Sequence, residues 1–117
     1  MASERRKTRL AVLVSGRGRG TTLQAFLDAS ASGSLPAEVV VVVSTTPGTP
    51  ALERARLAGV PALVLPPDEA LDERLVETLR PYAPDLVCLA GFLRKLGPAM
   101  LSAYRWRIMN SHPALIP

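Results

Sequence analysis

Asn110 and His112 stand two residues apart near the end of a 117-residue chain, with Pro113 directly after them. In an extended strand alternate residues share a face. Ile108, Asn110 and His112 therefore line up, with the two polar side chains at the end where Pro113 stops the strand. An amide beside an imidazole suits attack on a carbonyl: the amide N–H can donate to a developing oxyanion, and the imidazole can exchange a proton with the reacting groups. His112 is the only histidine. The single cysteine, Cys88, is far from it in sequence, so no metal cluster is expected. A lone histidine is more often a satisfied structural residue than a catalyst, and spacing alone leaves both readings open.

A second constellation is the run Ser15-Gly16-Arg17-Gly18-Arg19-Gly20-Thr21-Thr22. Glycines let successive backbone N–H groups turn toward one centre, and a helix N-terminus behind them adds partial positive charge, so a phosphate is the natural guest. Thr21 and Thr22 add hydroxyl donors. The spacing is G-x-G-x-G rather than G-x-G-x-x-G, and the second apolar run ends in Ser44-Thr45-Thr46 with no acid for a ribose, which argues against a dinucleotide. The Gly-Lys-Ser/Thr element of a nucleotide P-loop is absent as well. What remains is a single phosphate on a small substrate, or a flexible turn with a helix cap at Thr21.

These residues need a frame. Four short runs at 10–14, 39–43, 62–65 and 86–90 are apolar on both faces, as strands of a parallel sheet covered by helices on both sides should be. Helical spacing falls between them. Leu23, Phe26 and Leu27 share a face over 21–31, and Leu52, Ala55 and Ala58 do so over 51–58. Leu71, Leu75, Val76 and Leu79 form a stripe over 69–79, which turns the acids and Arg74 of that helix toward water. A short helix at 98–104 precedes a fifth strand at 107–111. The alternation predicts a doubly wound, mostly parallel open sheet with helices on both faces, whose ligands bind beyond the carboxyl ends of the strands.

Hydrophobic residues make up 48% of the chain and charged residues 21%, a balance that builds a core rather than a disordered chain. The formal charge of +4 gathers at Arg5, Arg6, Lys7 and Arg9, read as a solvated tail, and at Arg17 and Arg19 in the glycine-rich run. Trp106, Tyr82 and Tyr104 are not interleaved with basic residues across a recognisable recognition surface, which argues against nucleic acid. Apolar runs of about five residues fall far short of the roughly 20 that cross a bilayer. No membrane association and a cytoplasmic location are expected. Cys88, inside an apolar run, is expected to pack in the core.

The run Asn110-Ser111-His112-Pro113-Ala114-Leu115-Ile116-Pro117 resembles the N-x-H-P-S-L-L-P signature of folate-dependent formyltransferases. The stretch from Tyr82-Ala83-Pro84-Asp85 to Leu89-Ala90-Gly91-Phe92-Leu93-Arg94 is similar to the branch of that family that formylates phosphoribosylglycinamide in purine biosynthesis. The opening loop through Gln24 and Leu52-Glu53-Arg54-Ala55 are similar too, so the likeness spans nearly the whole chain. It implies a Rossmann-like formyltransferase fold with Asn110 and His112 as the catalytic pair. It also implies that Gly20, Thr21 and Thr22 hold the substrate phosphate. Leu93, Arg94, Lys95 and Leu96, with Asn110, would contact formyltetrahydrofolate, backbone groups reading the pterin and Arg94 meeting a carboxylate. The implied reaction carries a formyl group from that folate to the amine of phosphoribosylglycinamide, with no metal.

The chain departs from the family pattern in four places. The first loop is two residues longer and lacks the family's asparagine. Asp68 stands where a basic residue often holds the folate tail, and Lys95 replaces an aliphatic residue. Family members also continue past the signature, where an aspartate orients the histidine. A single N-terminal domain over 1–117, cut after the signature and weak or inactive alone, is therefore expected. An unfinished sheet edge leaves self-association into a homo-oligomer open. The alternatives are a methionyl-tRNA formyltransferase, a formyltetrahydrofolate deformylase, or a phosphate-binding module without catalysis.

Overall fold

A computed structural model describes residues 7–16, 18–92 and 94–110. Five strands are found: β1 (Thr8–Val14), β2 (Ala37–Ser44), β3 (Ala62–Val64), β4 (Leu86–Leu89) and β5 (Ile108–Asn110). The helices are α1 (Thr21–Ser32), α2 (Pro50–Leu57), α3 (Leu71–Leu79) and α4 (Pro98–Ala103), with a 3-10 turn at Arg80–Tyr82 after α3. The strands form one sheet in the order β3-β2-β1-β4-β5, and every neighbouring pair is parallel. The doubly wound fold expected from the alternating pattern is the fold observed.

Period-two alternation in β1 divides the core between the two faces. Leu10, Val12 and Val14 pack with Leu23 and Leu27 of α1 and Ala51 and Ala55 of α2. Ala11 and Leu13 pack with Leu71, Leu75 and Leu79 of α3 and Met100 of α4. Cys88 is fully buried on the α1–α2 side, as its apolar neighbours in sequence predict. The valine run of β2 hides one irregularity. Leu10 pairs with Val39 but Ala11 pairs with Val41, so Val40 is an extra residue in the ladder. Val40 and Val41 consequently pack on the same, α3–α4, side.

The chain runs outward from β1 to β2 and β3, with α1 and α2 on one face. It then returns through α3 to place β4 on the other side of β1. The strand order therefore reverses between β1 and β4, the position at which sheets of this type open a ligand crevice.

Two expectations need correction. Arg9 is not part of a solvated tail: it lies in β1, its Nε and Nη2 donate to the Tyr82 carbonyl at 3.1 and 2.7 Å, and its backbone N–H donates to Asp85 Oδ2 at 2.8 Å. The acids of α3 do not all face water either. Asp72 is turned onto the N-terminus of α4, as described below. Among the described residues no helix is long and apolar enough to cross a membrane.

Candidate active site

The loops after β1 and β4 meet at the reversal point. The Ser15 N–H donates to the Gly91 carbonyl at 3.3 Å, and the Ser15 hydroxyl reaches the same oxygen at 3.5 Å. A cavity lies on each side of this seam.

The smaller, about 140 Å³, is lined by residues 18–23 of the glycine-rich loop and α1, together with Val14, Ala90 and Gly91. Gly20, Thr21 and Thr22 all line it. The cap expected at Thr21 is not found. Gly20 occupies the N-cap position with φ of 76°, and glycine brings no side-chain cap of its own. The carbonyl of Gly20 accepts the Gln24 N–H at 2.9 Å, closing the first turn. A left-handed φ favours glycine, and space demands it as well: a Cβ here would lie 3.0 Å from Ala51 Cα and 3.1 Å from its nitrogen. An N-terminal turn that begins this way has its first N–H groups without partners inside the helix.

α2 supplies a residue that sequence reasoning missed. Arg54 donates from Nε to the Arg19 carbonyl at 2.7 Å and from Nη1 to Gln24 Oε1 at 3.1 Å. Gln24 in turn donates to Asp28 at 2.8 Å.

The larger cavity, about 520 Å³, lies on the α3–α4 side of the seam. Ser15, Thr45 and Thr46 line it from the strand ends, Asp68, Leu71, Asp72 and Leu75 from α3 and its approach, and Arg94, Lys95 and Gly97 from the loop after β4. Arg94 and Lys95 are both exposed at this cavity. Leu96 does not line it and packs against the α3–α4 core instead.

Asp68 is already engaged. Its Oδ1 accepts the Ala70 N–H at 2.9 Å and its Oδ2 accepts Arg74 Nη1 at 2.8 Å. This local turn also explains why α3 begins at Leu71 rather than Glu69. Asp72 accepts the backbone N–H groups of Gly97 at 2.8 Å, Ala99 at 2.7 Å and Met100 at 3.3 Å. It caps α4 from a neighbouring helix, a role its place in the α3 pattern does not reveal. A Cβ on Gly97 would fall 2.7 Å from Asp72 Oδ2, so the carboxylate needs a glycine there.

Asn110 ends β5, paired in register with Leu89 and exposed. It follows Ile108, which packs on the α3–α4 side, so alternation puts Asn110 on that face. His112 and Leu93 lie outside the described residues. Beneath α4, burial pushes the Tyr104 phenol above its ordinary pKa against the opposing charges of Arg80 and Arg107. Among the described residues no group of three His, Cys, Asp or Glu side chains could hold a metal ion.

A family model described as formyl transferase matches residues 8–117. The chain belongs to the formyl transferase family. Within it, the chain is 41% identical over 113 residues to phosphoribosylglycinamide formyltransferase of Escherichia coli, covering 92% of this chain and 52% of that protein. It is 44% identical over 125 residues to the trifunctional purine biosynthetic protein adenosine-3 of Drosophila melanogaster, covering all of this chain and 9% of that one. The crystal structure of glycinamide ribonucleotide transformylase 1 from Symbiobacterium toebii superposes with a TM-score of 0.89 at 44% identity, over 97% of this chain and 55% of that chain. This formyl transferase chain thus spans about half the length of the two bacterial relatives and a small part of the insect protein. The parallel sheet and its flanking helices are those of a Rossmann-like formyltransferase fold.

Proposed function

We propose that the protein transfers a formyl group from formyltetrahydrofolate to the primary amine of phosphoribosylglycinamide. The observation that carries this reading is the pair of cavities on either side of the Ser15–Gly91 seam, in a chain of the formyl transferase family. One suits a phosphate and the other is large enough for part of a folate. The relatives named as acting on phosphoribosylglycinamide support the same substrate.

In this reading Gly20, Thr21 and Thr22 hold the phosphate with backbone N–H and hydroxyl donors. Leu93, Arg94 and Lys95, with Asn110, border the folate, and Leu96 anchors that loop to the α3–α4 core. Arg94 and Lys95 face its carboxylates, and backbone groups of the same loop read the pterin. The amine attacks the formyl carbon, and the carbonyl oxygen takes up negative charge as a tetrahedral intermediate forms. Asn110 donates to that oxygen, and His112 exchanges the proton that must leave the amine and reach the folate nitrogen as its C–N bond breaks. No step calls for a metal.

The test is a formyl-transfer assay with both substrates. Asn110→Ala should lower kcat by roughly 100-fold, as loss of an oxyanion donor does elsewhere, with KM for phosphoribosylglycinamide little changed. His112→Ala should fall at least as far. Unchanged turnover in either variant would overturn the assignment, and transfer to a different acceptor would overturn the substrate.

A further inference from the structure

We infer that Arg54 is a positioning residue for the anion cradle, holding the Arg19–Gly20 peptide in the orientation that binds phosphate. The inference rests on the phosphate site proposed above and adds a residue from a different element. Arg54 comes from α2, 35 residues after the carbonyl it holds. Its Nε bonds that carbonyl at 2.7 Å while Nη1 holds Gln24 of α1 at 3.1 Å, so a single guanidinium spans the loop and the helix it leads into.

Peptide planarity gives this contact its consequence. In a trans peptide the C=O and the following N–H point in opposite directions. Drawing the Arg19 oxygen toward α2 therefore turns the Gly20 N–H away from α2. Gly20 lines the small cavity, and its left-handed backbone lets the chain lie against Ala51 and the Arg54 stem. The positive charge of Arg54 is spent on a carbonyl and an amide oxygen, so its effect on an anion passes through the loop. A guanidinium can make this two-point contact because its donors form a rigid fork, which a lysine lacks.

The experiment is a titration of the 117-residue chain with inorganic phosphate, followed by the amide NMR signals of residues 18–24 and by calorimetry. Arg56 supplies the control. It is an exposed arginine of the same helix, paired only locally with Glu53, so Arg56→Ala removes the same charge without touching the loop. Arg54→Ala should weaken phosphate binding about tenfold, the scale of a lost charge-assisted contact, while Arg56→Ala changes it less than twofold. Arg54→Lys should fall between them at an unchanged unfolding midpoint, and it carries the test if the alanine variant does not fold. Equal phosphate affinity in wild type and Arg54→Lys or Arg54→Ala would overturn the role of Arg54 alone. Failure of the wild-type chain to bind phosphate at residues 18–24 would overturn the site and the inference with it. An equal loss in Arg56→Ala would reduce Arg54 to a general charge effect and overturn the positioning role.

Discussion

Two helices start from neighbouring central strands at the same edge of the sheet, and their N-termini are treated in opposite ways. α1 follows β1 and begins at a glycine with no side-chain cap, while α4 follows β4 and has three N–H groups taken by Asp72. Each start is held by a residue from the adjoining helix on its own face. Arg54 of α2 grips a carbonyl and so turns the Gly20 N–H, just ahead of α1, away from α2. Asp72 of α3 grips the N–H groups themselves and so closes α4. Any helix N-terminus attracts anions, yet among the described residues a side chain takes the N–H groups of α4 and not those of α1, the neighbouring side chain having the opposite charge in the two cases.

The largest expected effect comes from opening the closed end. Asp72→Ala leaves three part-buried donors without their acceptor and should cost about 2–3 kcal/mol in urea denaturation. A loss under 0.5 kcal/mol would mean that α4 is held by packing and not by its cap. Gly20→Ala acts at the other end. A side chain there meets a left-handed backbone and the Ala51 main chain, so about 2 kcal/mol of stability and most of the phosphate affinity should go together.

Gly97→Ala tests the closure from the opposite side. A methyl group 2.7 Å from the Asp72 carboxylate should cost about 1–2 kcal/mol. In the Asp72→Ala background that penalty should vanish, and a double-mutant cycle showing simple additivity would break the link between the two residues. The smallest effect is expected of Thr22→Ala. Removing one of several donors should weaken phosphate binding about threefold without moving the unfolding midpoint.

The sheet was legible because its strands are apolar on both faces, a pattern that short helices do not share. The ends of β1 at Val14, β2 at Ser44 and β4 at Leu89 fall within one residue of where the apolar runs stop. Gly20 was legible as a residue of the turn between β1 and α1, since three glycines in alternate positions mark a break between a strand and a helix. Its place as the N-cap was not. Threonine has a side-chain oxygen that can cap a helix and glycine has none, whereas Gly20 lies against the Ala51 main chain of α2, a contact that local sequence cannot show. Arg54 and Asp72 escaped for the same reason: both bind main-chain groups 25 to 35 residues away, which carry no side-chain signature. Arg9 was read with the basic residues before it although its guanidinium is folded onto Tyr82. Asn110 was placed correctly on β5, while the role given to it and to His112 comes from the signature they share.

The central claim is that the open N-terminus of α1, and not that of α4, receives the phosphate of the substrate. Titration of the isotope-labelled chain with phosphoribosylglycinamide tests it directly, with the amide signals of residues 20–23 compared against those of residues 97–100 in the same spectra. Saturable shifts confined to residues 20–23 and their neighbours are the predicted result. Shifts centred on residues 97–100, or none at residues 20–23 at saturating substrate, would contradict it.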